Sequence, residues 1–217
     1  MTRSLVALSA GLGTPSTSRL LADQLADATR VQVSARGEAT EIVLIELREL
    51  ASDLATMMAT GMAPSALDEA FEAVRAADGV IAVSPVFQAS YSGLFKMFFD
   101  ALPQASLDGA PVLLGATAGT ARHSMVVDVA MRPLFAYMRA DMVPTGVFAA
   151  TDDFGGADDF NARVRRAAEE LADRMVRQAD AVVGFRANSF EDSSAQSLTP
   201  ARGFADMLKG HSGRRSA

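Results

Sequence analysis

Gly79-Val80-Ile81-Ala82-Val83-Ser84-Pro85-Val86-Phe87-Gln88-Ala89-Ser90-Tyr91-Ser92-Gly93-Leu94-Phe95-Lys96 is the stretch whose pattern decides the fold. Its opening run, 79–83, is continuously apolar, as in a strand buried on both faces. At Ser84-Pro85 the pattern stops. Proline has no amide hydrogen for a sheet ladder and holds the residue before it away from helical backbone angles. Small residues follow, and an amphipathic helix is expected to begin around Ser90 to Ser92. Strand, small-residue loop and helix make one unit of an open α/β sheet, whose ligands settle in the crevice beyond the carboxyl ends of the strands.

The same unit recurs on both sides of this stretch. Ser4-Leu5-Val6-Ala7-Leu8-Ser9 reads as a first buried strand, followed by Ala10-Gly11-Leu12-Gly13-Thr14-Pro15-Ser16-Thr17-Ser18-Arg19 and a helix carrying Leu20, Leu21 and Leu25. Glycines let a backbone approach an anion, hydroxyls donate to it, and the helix start adds free amides and the positive end of its dipole. A turn closed by one Ser or Thr cap is the plainer reading. Thr14, Ser16, Thr17 and Ser18 supply more hydroxyls than one cap uses. No lysine completes a Walker A loop, and Ser16 stands where a dinucleotide fingerprint needs its third glycine.

The strand expected at 110–117 ends in a third small-residue loop, Ala118-Gly119-Thr120-Ala121-Arg122-His123. Further strands are expected at 41–47 and 144–150, and helices at 66–77, at 125–138 with a kink at Pro133, and from 160 to 182. Residues 31–40 read as a polar loop and 57–66 as a broken connection. Five strands alternating with helices predict a doubly wound, mostly parallel sheet. The domain is expected to span 1–184, with a polar tail at 185–217 holding at most one short helix at 204–208.

Composition narrows the function. A chain of 217 residues is long enough for one substantial core, and 49% apolar residues suffice to fill it. No apolar run reaches the roughly 20 residues of a membrane helix, and no signal peptide is expected at the start. The absence of cysteine removes disulfides, thiol nucleophiles and thiolate-held clusters, and a cytoplasmic location is expected. A net charge of −6 argues against a nucleic-acid partner. No Gly-x-Ser-x-Gly elbow marks a serine hydrolase, and His123 has no second ligand at metal-binding spacing. Hydrogen bonding or packing suits that histidine better than catalysis. Lys96 and Asp100, four apart on one helix face, read as a surface pair.

The segment Ser84-Pro85-Val86-Phe87-Gln88-Ala89-Ser90-Tyr91-Ser92-Gly93-Leu94-Phe95-Lys96 with Asp100 resembles that of the NAD(P)H-dependent FMN reductases of the flavodoxin-like superfamily, in particular those that serve luciferase-like or sulfonate monooxygenases. Ser9, Ser16, Thr17 and Ser18 match the family's phosphate loop, although many relatives carry an arginine inside it and here Arg19 follows it. Residues 116–123 resemble its Ala-Thr-x-Gly-x-x-x-His pattern.

The resemblance covers about residues 4–180. It implies a five-stranded flavodoxin-like sheet in order 2-1-3-4-5 and an enzyme that passes hydride from NADPH or NADH to FMN. It also implies a homodimer or homotetramer with Tyr91 near the interface, and delivery of reduced FMN to a flavin-dependent monooxygenase. The implied FMN contacts are Ser9, Thr14, Ser16, Thr17, Ser18, Pro85, Val86, Phe87, Thr117, Ala118, Gly119, Thr120 and His123, with no catalytic side chain and no metal. Two alternatives share the scaffold: a quinone, azo or chromate reductase holding FMN tightly, and a flavodoxin-like electron carrier without turnover.

Overall fold

A computed structural model describes residues 1–155 and 158–177. The expected boundary at 184, the tail at 185–217 and the far end of the last helix lie outside the described residues. The strands are β1 (Thr2–Ser9), β2 (Ala39–Glu46), β3 (Gly79–Phe87), β4 (Ser90–Tyr91), β5 (Pro111–Ala118), β6 (Asp141–Met142) and β7 (Val147–Ala150). The helices are α1 (Thr17–Ala35), α2 (Ala51–Thr60), α3 (Ser65–Ala76), α4 (Gly93–Ala101), α5 (Arg132–Tyr137) and α6 (Asp158–Arg177).

The sheet runs β2-β1-β3-β5-β6, with β7 also on β5 and β4 on β3. All pairs are parallel except β3 with β4. The expected α/β parallel sheet is present, but five strands in order 2-1-3-4-5 are replaced by seven. One addition is β4, which turns back on β3 through Gln88 and Ala89, both at positive φ (49° and 63°). Two adjacent residues in that region make the tight hairpin turn whose twist suits the flanking strands. Of the strand expected at 144–150 only Val147–Ala150 forms, as β7 on the end of β5, while β6 lies ahead of the expected span and pairs with the start of β5. Pro144, with no amide to give a ladder, lies between the two strands.

Three helical boundaries differ from expectation. The polar loop expected at 31–40 is in part helix, because α1 continues to Ala35 and seats Thr29 and Val33 in the core. The broken connection expected at 57–66 contains most of α2's second half, which ends at Gly61 (φ 75°) with its amide on the Met57 carbonyl at 2.8 Å. One buried residue, Leu54, leaves α2 without a readable apolar stripe. The helix expected at 125–138 is a π turn at Val127–Met131 running into α5, and a separate 3₁₀ turn at Ala121–His123 precedes it. Pro133 follows directly on the π turn, at a place where the regular i→i−4 ladder is already interrupted.

Helices α2 to α5 cover one face of the sheet and α1 with α6 the other. On the first face the Phe95 and Phe99 rings lie tilted to one another with centroids 4.7 Å apart, and Phe99 meets Phe135 edge-on at 4.8 Å. Phe95 is fully buried, so Phe95→Ala should cost about 3–5 kcal/mol of stability. A denaturant midpoint unmoved by that change would place the ring outside the core.

At the amino edge of the sheet, buried Arg3 bonds Glu38 through Nη2 at 3.1 Å and Asp78 through Nη1 at 3.3 Å. Asp78 also accepts from the Ser4 amide at 2.8 Å. The hydrogen bond from Arg3 lowers the Glu38 pKa below its ordinary 4.5. A carboxylate held low stabilises the fold above its ordinary pKa and loses that effect as pH falls through the folded value. Glu38→Gln should therefore flatten part of the loss of stability below pH 4.5. Identical acid-unfolding curves for the variant and the parent would remove the pair from the stability of this edge.

Candidate functional site

Parallel register brings three loops to one edge. Ser9 lies opposite Val83, the Ala10 amide donates to the Val83 carbonyl at 2.9 Å, and Pro85 lies opposite Thr117. The carboxyl ends of β1, β3 and β5 are therefore side by side, and the loops that follow them share one rim.

The first loop folds back over the start of α1. Ser16, half-buried and extended at φ −111°, accepts the Arg19 amide at 3.2 Å as N-cap. A Cβ on Gly11 would stand 2.0 Å from Ser16 Oγ, so only glycine permits this close approach. Thr14 and Thr17 are exposed. Beneath the loop, Ser9 is buried, and its Oγ has no hydrogen-bond partner among the described residues. A buried hydroxyl without a partner is costly and marks a place where a polar group is expected.

In the second loop, the Ser84 hydroxyl accepts the Ser92 amide and donates to the Pro85 carbonyl, both at 2.9 Å. Ser92 in turn caps α4 by accepting the Phe95 amide at 3.1 Å. These bonds hold Pro85 and Val86, half-buried, and Phe87, 43% exposed, as an apolar ledge. In the third loop Ala118 is half-buried, while Gly119, Thr120 and His123 are exposed, with His123 on the 3₁₀ turn.

Two predicted residues have a different surrounding. Ser18 and Thr117 are buried, and their hydroxyls bond one another at 2.7 Å. They tie α1 to the end of β5 rather than facing the rim. The expected surface pair does form: Lys96 Nζ lies 2.7 Å from Asp100 Oδ2. A cavity of about 570 Å³ lies away from the three loops, between the segment leading into β5 and the end of α5, lined by Leu102, Leu107, Leu134 and Tyr137.

A charged cluster beside the first loop escapes sequence reading. Glu46, at the end of β2, binds Arg48 Nε at 2.8 Å and also Arg19 Nη1. Arg19 takes Asp23 as well, at 3.0 Å. Burial pulls the Arg19 pKa down, but its bonds to Asp23 and Glu46 outweigh burial and the net shift is upward. Arg48 Nη1 donates to the Gly13 carbonyl at 3.1 Å and to Thr14 Oγ1 at 2.5 Å. The one sequence signal was a run of charges at a strand's carboxyl end, Glu46 to Glu49. Among the described residues no cluster of three metal-binding side chains occurs, and no helix is long and apolar enough to cross a membrane.

The profile of the family described as NADPH-dependent FMN reductase matches residues 4–155, which include all three loops. The chain belongs to that family. An FMN reductase (NADPH) from Pseudomonas aeruginosa is 36% identical over 174 residues, 77% of this chain and 90% of its own length. An NADH-dependent FMN reductase from Pseudomonas fluorescens is 35% identical, over 77% of this chain and 89% of its own. A solved oxidoreductase from Corynebacterium diphtheriae shares 53% identity, with a TM-score of 0.79 over 81% of this chain and 98% of its own. At 14% identity, a flavodoxin, WrbA-like protein from Agrobacterium tumefaciens still superposes with a TM-score of 0.55, which shows the flavodoxin-like fold.

The link between the first and third loops can be tested directly. Ser18→Ala strands the Thr117 hydroxyl in an apolar setting and should cost about 1–3 kcal/mol, much of it recovered when Thr117→Val is added. Strictly additive losses in that double-mutant cycle would mean the hydroxyls do not act as a pair.

Proposed function

We propose that this protein is an NAD(P)H-dependent FMN reductase whose reduced FMN serves a flavin-dependent monooxygenase. The observation that carries the reading is the meeting of the three loops at one rim, with the unpartnered Ser9 hydroxyl buried beneath the first. Its place and chemistry fit the phosphate end of FMN. Thr14, Ser16 and Thr17 keep O–H groups to donate there, and Ser18 contributes its backbone amide at the start of α1.

FMN, when bound, supplies the ring that accepts hydride from the nicotinamide. The chain's own work is binding and orientation. Pro85, Val86 and Phe87 offer an apolar ledge for the flat ring and keep water from its face. Amides of Ala118, Gly119 and Thr120 would offer hydrogen-bond donors to the ring's polar edge, where negative charge grows on reduction, and preset donors at such a place would stabilise it. His123, exposed on the third loop, offers a further polar contact at that edge. No proton has to be moved by a paired acid and base, so the rim needs no catalytic dyad.

Relatives named for NADPH and for NADH both resemble the chain, and the reading covers either donor. A homodimer or homotetramer belongs to it as well, supported by Met125, Val129 and Tyr137, all more than half exposed on neighbouring turns. So does a cytoplasmic location, where reduced nicotinamides are made.

The deciding assay adds NADPH and free FMN, under air, to the protein as purified. Oxidation that requires added FMN and saturates with it is the expected result. A protein already yellow, indifferent to added FMN but stimulated by quinone, would be a reductase with resident FMN instead. Absence of oxidation with either nicotinamide would leave an electron carrier. Ser16→Asp preserves a good N-cap while setting a carboxylate against the phosphate. It should weaken FMN binding by at least about tenfold, since like charges in contact cost several kcal/mol. Unchanged affinity in a flavin-fluorescence titration would remove the first loop from the site.

A further inference from the structure

We propose that Arg48 is the positioning residue of the first loop, acting as the cation that holds the phosphate cradle in its binding shape. The inference rests on the FMN reading above and concerns how this particular chain prepares its loop. Three observations carry it.

The arginine that binds the loop's backbone comes from outside it. Arg19, which follows the loop, is turned away to Asp23 and Glu46 on the flank of α1. Arg48, 35 residues beyond Gly13, reaches back to the Gly13 carbonyl and the Thr14 hydroxyl oxygen. Its side chain is itself held, because Nε is bonded to Glu46 at 2.8 Å and the Glu46 side chain is 12% exposed. A guanidinium has a planar fork of five donors, so one group can bind Glu46 and the loop together.

The contact also sets a direction. Thr14 Oγ1 accepts from Arg48, which leaves the threonine's own O–H to donate to a ligand, polarised by the charge behind it. The Gly13 carbonyl, drawn toward Arg48, is kept from facing an anion on the opposite side. Both effects favour a phosphate over a neutral group in the same place. Glu46 makes the arrangement stiff rather than more positive, since its charge offsets one of the two arginines that it binds.

The test compares FMN with riboflavin, which has the same ring and no phosphate, by fluorescence titration of the full chain. In Arg48→Ala we expect FMN affinity to fall about tenfold, as for loss of a hydrogen-bonded charge, with riboflavin affinity unchanged. KM for FMN should rise in proportion while kcat at saturating FMN holds. Arg48→Lys should recover only part of the affinity, because an ammonium lacks the fork that bridges Glu46 and the loop. Equal loss for FMN and riboflavin, or no loss for either, would overturn the proposal. So would full rescue by lysine, which would make Arg48 a diffuse charge and not a positioning group. If the unaltered protein binds riboflavin as tightly as FMN, the first loop is not a phosphate site at all. In that case the phosphate placement and this proposal fall together, while the reductase reading is judged separately by the FMN-dependent oxidation of NADPH.

Discussion

Parallel register across β1, β3 and β5 is the constraint on which the site depends. Parallel strands all end on the same edge, and each returns through a helix, so the loops after the strands gather there. Ser9 lies level with Val83, and Thr117 level with Pro85 two residues further along, so the three strand ends sit within two residues of one another. A slip of one residue in β3 would exchange its faces and carry Pro85 away from Thr117. The Ser18–Thr117 bond fastens the first helix to the third of these strands and so couples two loops that are 99 residues apart in sequence.

Around that edge the chain uses two kinds of rigidity. Apolar packing holds the scaffold, with a wall of phenylalanines on one face and leucines of α1 and α6 on the other. Polar contacts hold the loops, where packing density is low and backbone groups need partners. Ser84 and Ser92 close the second loop on α4, Ser16 caps α1, and Arg48 ties the first loop to the end of β2. The third loop, exposed from Gly119 onward, lacks such a tie in its side chains among the described residues.

This division suits a reaction in which the protein need not contribute a reacting group. Hydride transfer between two flat rings asks for a stack at a fixed distance and for donors where charge accumulates. In the proposed site, an apolar ledge at 85–87 and amides at 118–120 would answer those two needs without a nucleophile or an acid–base pair. Family membership and the chemistry of the rim therefore agree.

The sequence by itself determined the α/β class and the three small-residue loops after β1, β3 and β5, because apolar runs, glycines and Ser/Thr clusters are local signals of strands, turns and helix caps. Its serines at 16 and 92 indeed cap the two helices that leave the rim. Tertiary structure decided what no local signal contains. Whether the Ser18 and Thr117 hydroxyls faced a ligand or one another depended on the distance between two segments far apart in the chain. The hairpin at Gln88 and Ala89 carries no glycine to announce it, and the two-residue β6, ahead of the strand expected at 144–150, shows only in its pairing with β5. Arg48 reads as one charge among several at the end of β2. It became part of the first loop only when β2 paired with β1 and brought Glu46 level with Ser9, because an ion pair is specified by proximity in space and leaves no period in the sequence.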